Sequence, residues 1–575
     1  MFEKHKIAFD LGRTNEPSRL RIESSFFRSS SADITGRQVL DAMNLMQDPF
    51  IQEAPSIKNA EFESYQLEDV SQAILGKGKE IKGKERHDEI SSLYKSKNLK
   101  DNQKLVDYNL MDCQLVYEIL EKTKMVDLAI ERSQLTGLQF DKLTASIAAF
   151  DSLYIREARK RNLVSPTTRF GQKDERLKGG YVFSSNPGIY NNVLIFDFKS
   201  LYPSIIKTFN IDPASYLGKH KGKEKNPIES PNKVYFKNTQ GILPEIIARL
   251  HEAREKAKKE QRELSSYAIK IIMNSFWGVL ASPNCRFFDF DMASAITSFA
   301  RETIQLTAKK IEERKYKIIY IDTDSCFVET NLEKNKANSL GKELESYVNN
   351  FYNHYIKTKY HRDSFLELQF QKQYLSLMIP MIRIKLSKKA KAKMDEEKGK
   401  LKPEETKGVL GVAAKKRYAG LLEKDGKEEL EITGLEAIRG DWTEAAQEFQ
   451  KELLMKVFHK EEITKFIKDY IKKIKSGSLD KQLVYKKSIR KDLDQYTKIT
   501  PPHVKAARKL DKLEGNVIEY FITEDGPEPI QKLKHKLDYK HYIEKQIKPI
   551  ANQVLSLFNK DFDDLFQAKG QAKLF

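Results

Sequence analysis

The chain has 575 residues, enough for several domains rather than one core. Lys and Arg outnumber Asp and Glu by 101 to 82, a net charge of +19 that attracts polyanions, nucleic acid first, and predicts salt-sensitive binding. The three cysteines, Cys113, Cys285 and Cys326, show no metal-ligand spacing and no apolar run could span a bilayer, which sets aside disulfide-stapled, zinc-clustered and membrane-spanning classes and points to a reducing cytoplasmic setting.

In chain order, LEDVSQAILGKGK (67–79) and YNLMDC (108–113) stand out first, the latter bearing Tyr108 and Asp112. After the turn TGLQFD, residues Ile147, Phe150, Leu153 and Tyr154 follow helical apolar spacing. Gly179-Gly180-Tyr181 comes next; paired glycines allow close backbone approach to a phosphate and serve as often for a simple turn. In VLIFDFKSLYPSII (193–206) a continuous apolar run reads as a buried strand, with Asp197 where it ends. Pro203 then breaks any ladder and forces a turn, leaving the backbone of Ser200, Leu201 and Tyr202 to present N–H groups to an anion.

Residues 242–284 read as two antiparallel helices, the first polar and basic. Arg254 and Lys258 share one face; Lys270, Asn274 and Trp277 share another at spacings of four and three. Cations arranged so suit a triphosphate. The alternative, a solvated basic face, fits Lys256 and Lys259 better than Lys270 in its Ile-Ile-Met context. In KIIYIDTDSCFVE (317–329), apolar runs flank Asp322-Thr323-Asp324-Ser325, the pattern of a hairpin. Asp322 and Asp324 share a strand face if the extended conformation persists, and they repel each other unless cations neutralise them. With Asp197 on an adjacent strand, two divalent ions about 4 Å apart could be held, as in-line phosphoryl transfer requires. Oxygen ligands without His or Cys favour Mg²⁺ over zinc. Residues 387–408 are charged and nearly devoid of apolar side chains, so a mobile loop is expected. A strand bearing KKRYAGL (415–421) follows, then a basic, mainly helical region over 441–575 that includes QAKLF (571–575).

DFKSLYPSII (197–206), KIIMNSFWG (270–278) and YIDTDS (320–325), in that order, closely resemble motifs A, B and C of the family B DNA polymerases. KGGYV (178–182), KKRYAGL, PPHVKAAR (501–508), GPEP (526–529) and LDY..YIEKQIKPIA (537–551) extend the likeness, most of all to the bacterial DNA polymerase II branch. The resemblance implies an α/β (α+β) right-hand polymerase of palm, fingers and thumb behind a partial ribonuclease H-like exonuclease domain. The expected divisions are 1–125 exonuclease-like, 126–241 connector and first palm part, 242–285 fingers, 286–440 second palm part and 441–575 thumb.

It further implies that Asp197, the Phe198 carbonyl and Asp324 bind two Mg²⁺ (or Mn²⁺) supported by Asp322, and that Lys270 serves the leaving pyrophosphate. Ser200, Leu201, Tyr202, Arg254, Lys258, Lys270, Asn274 and Trp277 would hold the nucleotide, with Tyr202 excluding a 2′-OH. Gly179, Gly180, Tyr181, Lys415, Lys416 and Tyr418 would contact DNA, and Gln571, Leu574 and Phe575 a sliding clamp. Two positions depart from the family: Trp277 replaces Tyr, and Ile321 replaces the Gly beside the primer end, so Ile321→Gly is expected to speed incorporation. Tyr108 and Asp112 match the third exonuclease motif. The first motif's Asp-x-Glu has no counterpart before Tyr108, and Asp10 in AFDLG fits better beyond the second motif. The chain is therefore expected to begin inside that domain and to lack 3′–5′ exonuclease activity. The implied function is DNA-templated extension of a primer with dNTPs in repair or replication, in the cytoplasm at the nucleoid. The alternatives are one subunit of a split enzyme with a separate N-terminal exonuclease fragment, or a catalytically weak DNA-binding scaffold.

Overall fold

The computed structural model describes residues 7–21, 31–58, 60, 62, 64–79, 86–140, 145–168, 177–330, 332–385, 409–489, 493–497, 500–511 and 517–566. The loop expected at 387–408 and the residues Gln571, Leu574 and Phe575 lie outside these. Contacts divide the chain into two units, Met1–Lys178 with Tyr202–Ile296, and Gly179–Leu201 with Thr297–Phe575.

The first unit is largely helical. Helices α1 (Ala42–Gln47), α2 (Leu67–Leu75), α3 (Arg86–Lys95), α4 (Leu99–Thr123) and α5 (Met125–Thr136) come first. Leu45, Met46, Val70, Ile74, Ile119 and Leu128 join in one core. The Asn98 side chain caps α4 by accepting the Lys100 amide, and Lys124, at φ +55°, turns the chain into α5. On the other side of α4, Leu99, Val106, Leu110 and Tyr117 are 83, 59, 54 and 67% exposed, one helical stripe facing solvent. Helix α6 (Ser146–Lys160) meets the expected spacing: Phe150 and Tyr154 are buried and stack on each other.

Helix α7 (Leu201–Thr208) corrects one expectation. Pro203 makes no turn; it sits in the first helical turn, where its missing N–H leaves no intrahelical bond unmade. The reversal comes earlier, at Ser200, whose φ is +50°. Helices α8 (Ile242–Lys259) and α9 (Glu263–Leu280) are the expected pair, joined through Gln261 at φ +56° and packed together. Helix α10 (Phe290–Glu313) follows.

The second unit is built on a seven-stranded antiparallel sheet of β1 (Val182–Ser184), β2 (Gly188–Phe198), β3 (Lys317–Asp322), β4 (Ser325–Glu329), β5 (Leu368–Ile379), β6 (Tyr418–Lys424) and β7 (Lys427–Thr433), in the order β7-β6-β5-β2-β4-β3-β1. Val193, Leu194, Ile195 and Phe196 are at most 5% exposed, so β2 is covered on both faces, as its unbroken apolar run requires. Helix α11 (Lys334–Tyr360) packs on β5. Helices α12 (Glu444–Phe458) and α13 (Ile463–Lys475) are capped by Thr443 and Glu462. On α13, Ile463, Ile467, Tyr470, Ile471 and Ile474 are buried and the lysines are not.

The region beyond residue 441 is less helical than expected. A three-stranded antiparallel sheet of β8 (Tyr485–Ser488), β9 (Val517–Thr523) and β10 (Gly526–Pro529) lies within it. Its central strand, VIEYFIT, is rich in the β-branched and aromatic residues that favour extended chain. Among the described residues, no helix is long and apolar enough to cross a membrane.

Candidate active site

Asp197 is the penultimate residue of β2, paired in register with Ser325 of β4. The same Ser325 pairs with Asp322 at the end of β3, and Asp324 directly precedes it, its carbonyl accepting the Phe198 amide at 3.0 Å. The strand order β2-β4-β3 thus sets Asp197, Asp322 and Asp324 at neighbouring strand ends. Extended conformation does not persist from Asp322 to Asp324. Thr323, at φ +62°, is the apex of a tight turn in which the Asp324 amide donates to the Asp322 carbonyl at 2.7 Å.

Burial, and then the charge of Asp324, push the Asp197 carboxyl up to about 7. Burial first, and Asp322 after it, hold Asp324 above its usual range. Asp322 is relieved by Lys416, whose ammonium lies 2.6 Å from its Oδ1. The three carboxylates are not gathered within 4.8 Å as the trio of Asp525, buried Glu528 and His535 is, which accords with mutual repulsion. That trio is an ion-paired cluster: Glu528 already accepts from the Lys534 and His535 amides and faces Lys509 at 3.5 Å.

In the helical unit, Lys270 and Asn274 are the exposed polar positions of an otherwise buried stretch of α9, with Trp277 half-buried beside them. The Trp277 and Tyr202 rings pack 5.1 Å apart, and the buried indole Nε1 has no hydrogen-bond partner among the described residues. Arg254 of α8 is alike: its Nε is buried without a partner, and burial lowers its pKa. A buried donor left unsatisfied costs stability unless a ligand meets it. Lys258, by contrast, pairs with Glu255 at 3.1 Å.

The remaining expected site residues are placed as follows. Lys415 is exposed, whereas the charge of Lys416 is held by Asp322 and its amide donates to the Tyr320 hydroxyl at 2.6 Å. Tyr418 turns its ring inward, edge-on to Tyr320 and Phe327 at 5.7 and 5.2 Å. Ser200 and Leu201 close the strand–turn–helix, and Phe198 buries its ring against Tyr352. Gly179 and Gly180-Tyr181 lead into β1 beside the Thr323 turn. Ile321 is 3% exposed, so its side chain packs in the protein interior, against the expectation that it crowds a primer end.

In the helical region before residue 125, the Lys79 ammonium lies 2.8 Å from Asp112 Oδ2 and above the Tyr108 ring. A lysine therefore neutralises the one carboxylate that matched a metal-binding position. Sequence reading missed Lys79, Arg301 and the role of Thr323. Lys79 and Arg301 act across 33 and 122 residues, distances over which no local pattern speaks. Thr323 was legible, because so short a hairpin loop demands positive φ.

DNA polymerase family B matches this chain over residues 144–557. DNA polymerase II of Escherichia coli (strain K12) is 34% identical over 591 residues, covering 100% of this chain and 70% of the relative. The DNA polymerase of Desulfurococcus sp. (strain Tok) is 27% identical over 612 residues, covering 99% of this chain and 70% of the relative. The solved structure of the family B DNA polymerase from the hyperthermophilic archaeon Pyrobaculum calidifontis superposes with a TM-score of 0.58 at 22% identity, covering 96% of this chain and 67% of that one, a likeness of fold.

Proposed function

Because this chain belongs to DNA polymerase family B, we propose that it extends a primer 3′-OH on a DNA template with dNTPs, releasing pyrophosphate, in repair or replication at the nucleoid. One observation carries the reading: three carboxylates stand at neighbouring strand ends, and burial, with the charge of Asp324 after it, lifts Asp197 to about 7. Carboxylates at neighbouring strand ends fit a cation, and an all-oxygen donor set fits Mg²⁺, with Mn²⁺ as a substitute. Asp197, the Phe198 carbonyl and Asp324 would hold two such ions. When bound, they supply a lowered pKa for the primer hydroxyl and charge for the phosphates.

The chain's own residues do the rest. Asp322, paired with Lys416, steadies the turn that carries Asp324. Arg254 and Lys270 bind the triphosphate, and Lys270 donates a proton or its charge to the leaving pyrophosphate. Tyr202, backed by Trp277, stands against a 2′-OH, and the Ser200–Leu201 backbone faces phosphate oxygens. Lys415 and the outer lysines of α13 meet the duplex backbone, contacts that position without reading sequence. Gln571, Leu574 and Phe575, by their sequence, suit a sliding-clamp pocket. Primer extension with Mg²⁺ tests the whole: the parent chain extends, and Asp197→Ala and Asp324→Ala lose extension while keeping DNA affinity. Extension retained in either variant would sink the assignment.

The Lys79–Asp112 ion pair supports the absence of 3′–5′ exonuclease chemistry in this chain, since no metal clamp forms on a neutralised carboxylate. The solvent-facing stripe of α4 and a cavity of about 440 Å³ lined by Met43, Met46, Leu67, Ile90, Val116 and Ile119 favour a second reading beside the first. A separate exonuclease-like fragment would cover this apolar face. Leu110→Asp should then abolish association with such a fragment, and a parent chain that fails to associate would reject the partner.

A further inference from the structure

Gly180 lacks a side chain for a reason that involves no nucleic acid. A Cβ at this position would meet Thr323 Cγ2, Oγ1 and Cβ at 2.6, 2.7 and 2.9 Å. Contacts that short force something to move, and Thr323 has little freedom. Its amide donates to the Tyr181 carbonyl at 2.8 Å, and its hydroxyl donates to Asp322 Oδ1 at 3.1 Å. Its backbone already occupies the left-handed region, at φ +62°. The glycine segment is fixed in turn. Arg301 of α10 donates from Nη1 to the Gly179 carbonyl at 2.9 Å and from Nη2 to Ser298 Oγ at 2.8 Å. On the other side, β1 continues the contact by pairing Val182 with Asp322. Gly179 differs from its neighbour, because a Cβ there would meet nothing within 4 Å.

We propose that Gly180 and Tyr181, anchored by Arg301, form a clasp that positions the Asp322–Asp324 turn, so that Gly180 is a positioning residue for the cation-binding carboxylates. The assignment rests on reading Asp197 and Asp324 as metal ligands. A methyl at residue 180 pushes Thr323 outward and carries both flanking aspartates with it. A displacement of about 1 Å in such a group lowers rate by on the order of 100-fold. The paired glycines are thereby separated in role: residue 180 serves the hairpin, and residue 179 supplies only a carbonyl to Arg301.

The test is a mutant cycle on the full chain with three readouts: primer extension against Mg²⁺ concentration, Mn²⁺ affinity without DNA, and primer–template affinity. For Gly180→Ala we expect at least a 10-fold rise in half-saturating Mg²⁺, a matching loss of Mn²⁺ affinity, and DNA affinity within about 2-fold of the parent. Gly179→Ala leaves the metal dependence where it is. Thr323→Gly, which removes the obstructing atoms and relaxes the positive φ, restores most of the metal affinity in the Gly180→Ala background. Additive losses in the double variant would overturn the clasp, as would a Gly180→Ala that weakens DNA affinity and spares metal affinity. Failure of the underlying metal reading is separable, because Asp197→Ala would then bind Mn²⁺ like the parent.

Discussion

Asp197 reports the state of its own site. Its carboxyl is held near 7 in the folded chain by burial and by Asp324, against an ordinary 3.8. Between about pH 4 and 7 the native chain keeps a proton that the unfolded chain has released, so this group's contribution to stability falls as pH rises through that window. Asp197→Asn should therefore raise the melting temperature of the metal-free protein at pH 8 and flatten its decline from pH 5 to 8. It should also abolish the stabilisation that divalent cations give the parent. A variant that melts lower at pH 8 and keeps the decline would show that Asp197 is not crowded. Ile321 makes a second residue-scale prediction. Because its side chain is 3% exposed, Ile321→Gly deletes core volume and a β-branched strand former, at a cost of about 3–5 kcal/mol. Denaturant unfolding should show that loss, and rapid-quench kinetics should show no faster chemistry; a faster step at unchanged stability would return Ile321 to the primer end.

At the scale of elements, the pair α8–α9 shows how burial sorts equal charges. Lys258 rests on Glu255 at 3.1 Å, whereas Arg254 keeps a buried Nε without a partner among the described residues. Lys270 holds an exposed position in a buried stretch of α9. A charge-assisted hydrogen bond contributes about 1.5–3 kcal/mol, so Arg254→Ala and Lys270→Ala should each weaken dNTP use by roughly 10- to 100-fold in kcat/KM. Lys258→Ala should fall short of both, because Glu255 already offsets its charge. Single-nucleotide incorporation against dNTP concentration would measure this, and a Lys258→Ala loss equal to that of Arg254→Ala would contradict the sorting. Helix α13 applies the same rule to a whole face, with isoleucines and Tyr470 inward and lysines outward.

For the whole molecule, the net charge of +19 sets the response to salt. Primer–template affinity should fall linearly on a log–log plot against salt as lysines and arginines displace counterions, and a flat plot would remove the basic-surface reading. The Lys79–Asp112 pair makes the accompanying prediction. No metal-dependent shortening of a 3′ end is expected from this chain, and shortening that vanishes in Asp112→Ala would show that other carboxylates complete the site.

The amino-acid order alone determined what is local: the β2 strand that ends at Asp197, the hairpin around Asp322 and Asp324, the α8–α9 pair, and the polar stripe on α9. These were legible because apolar period and turn chemistry act within about a dozen residues. The region after residue 441 was misjudged even so, since the run 517–523 carried strand composition that its basic helical surroundings obscured. Which charges remain available, and which side chains face inward, only the tertiary structure decided. Lys416 reaches Asp322 across 94 residues, and Gly180 is shaped by Thr323, as distant in sequence as it is close in space. Burial of Ile321 likewise depends on strands that meet only when the sheet closes. Pairing across such distances follows from sheet register and packing volume, properties that no single segment contains.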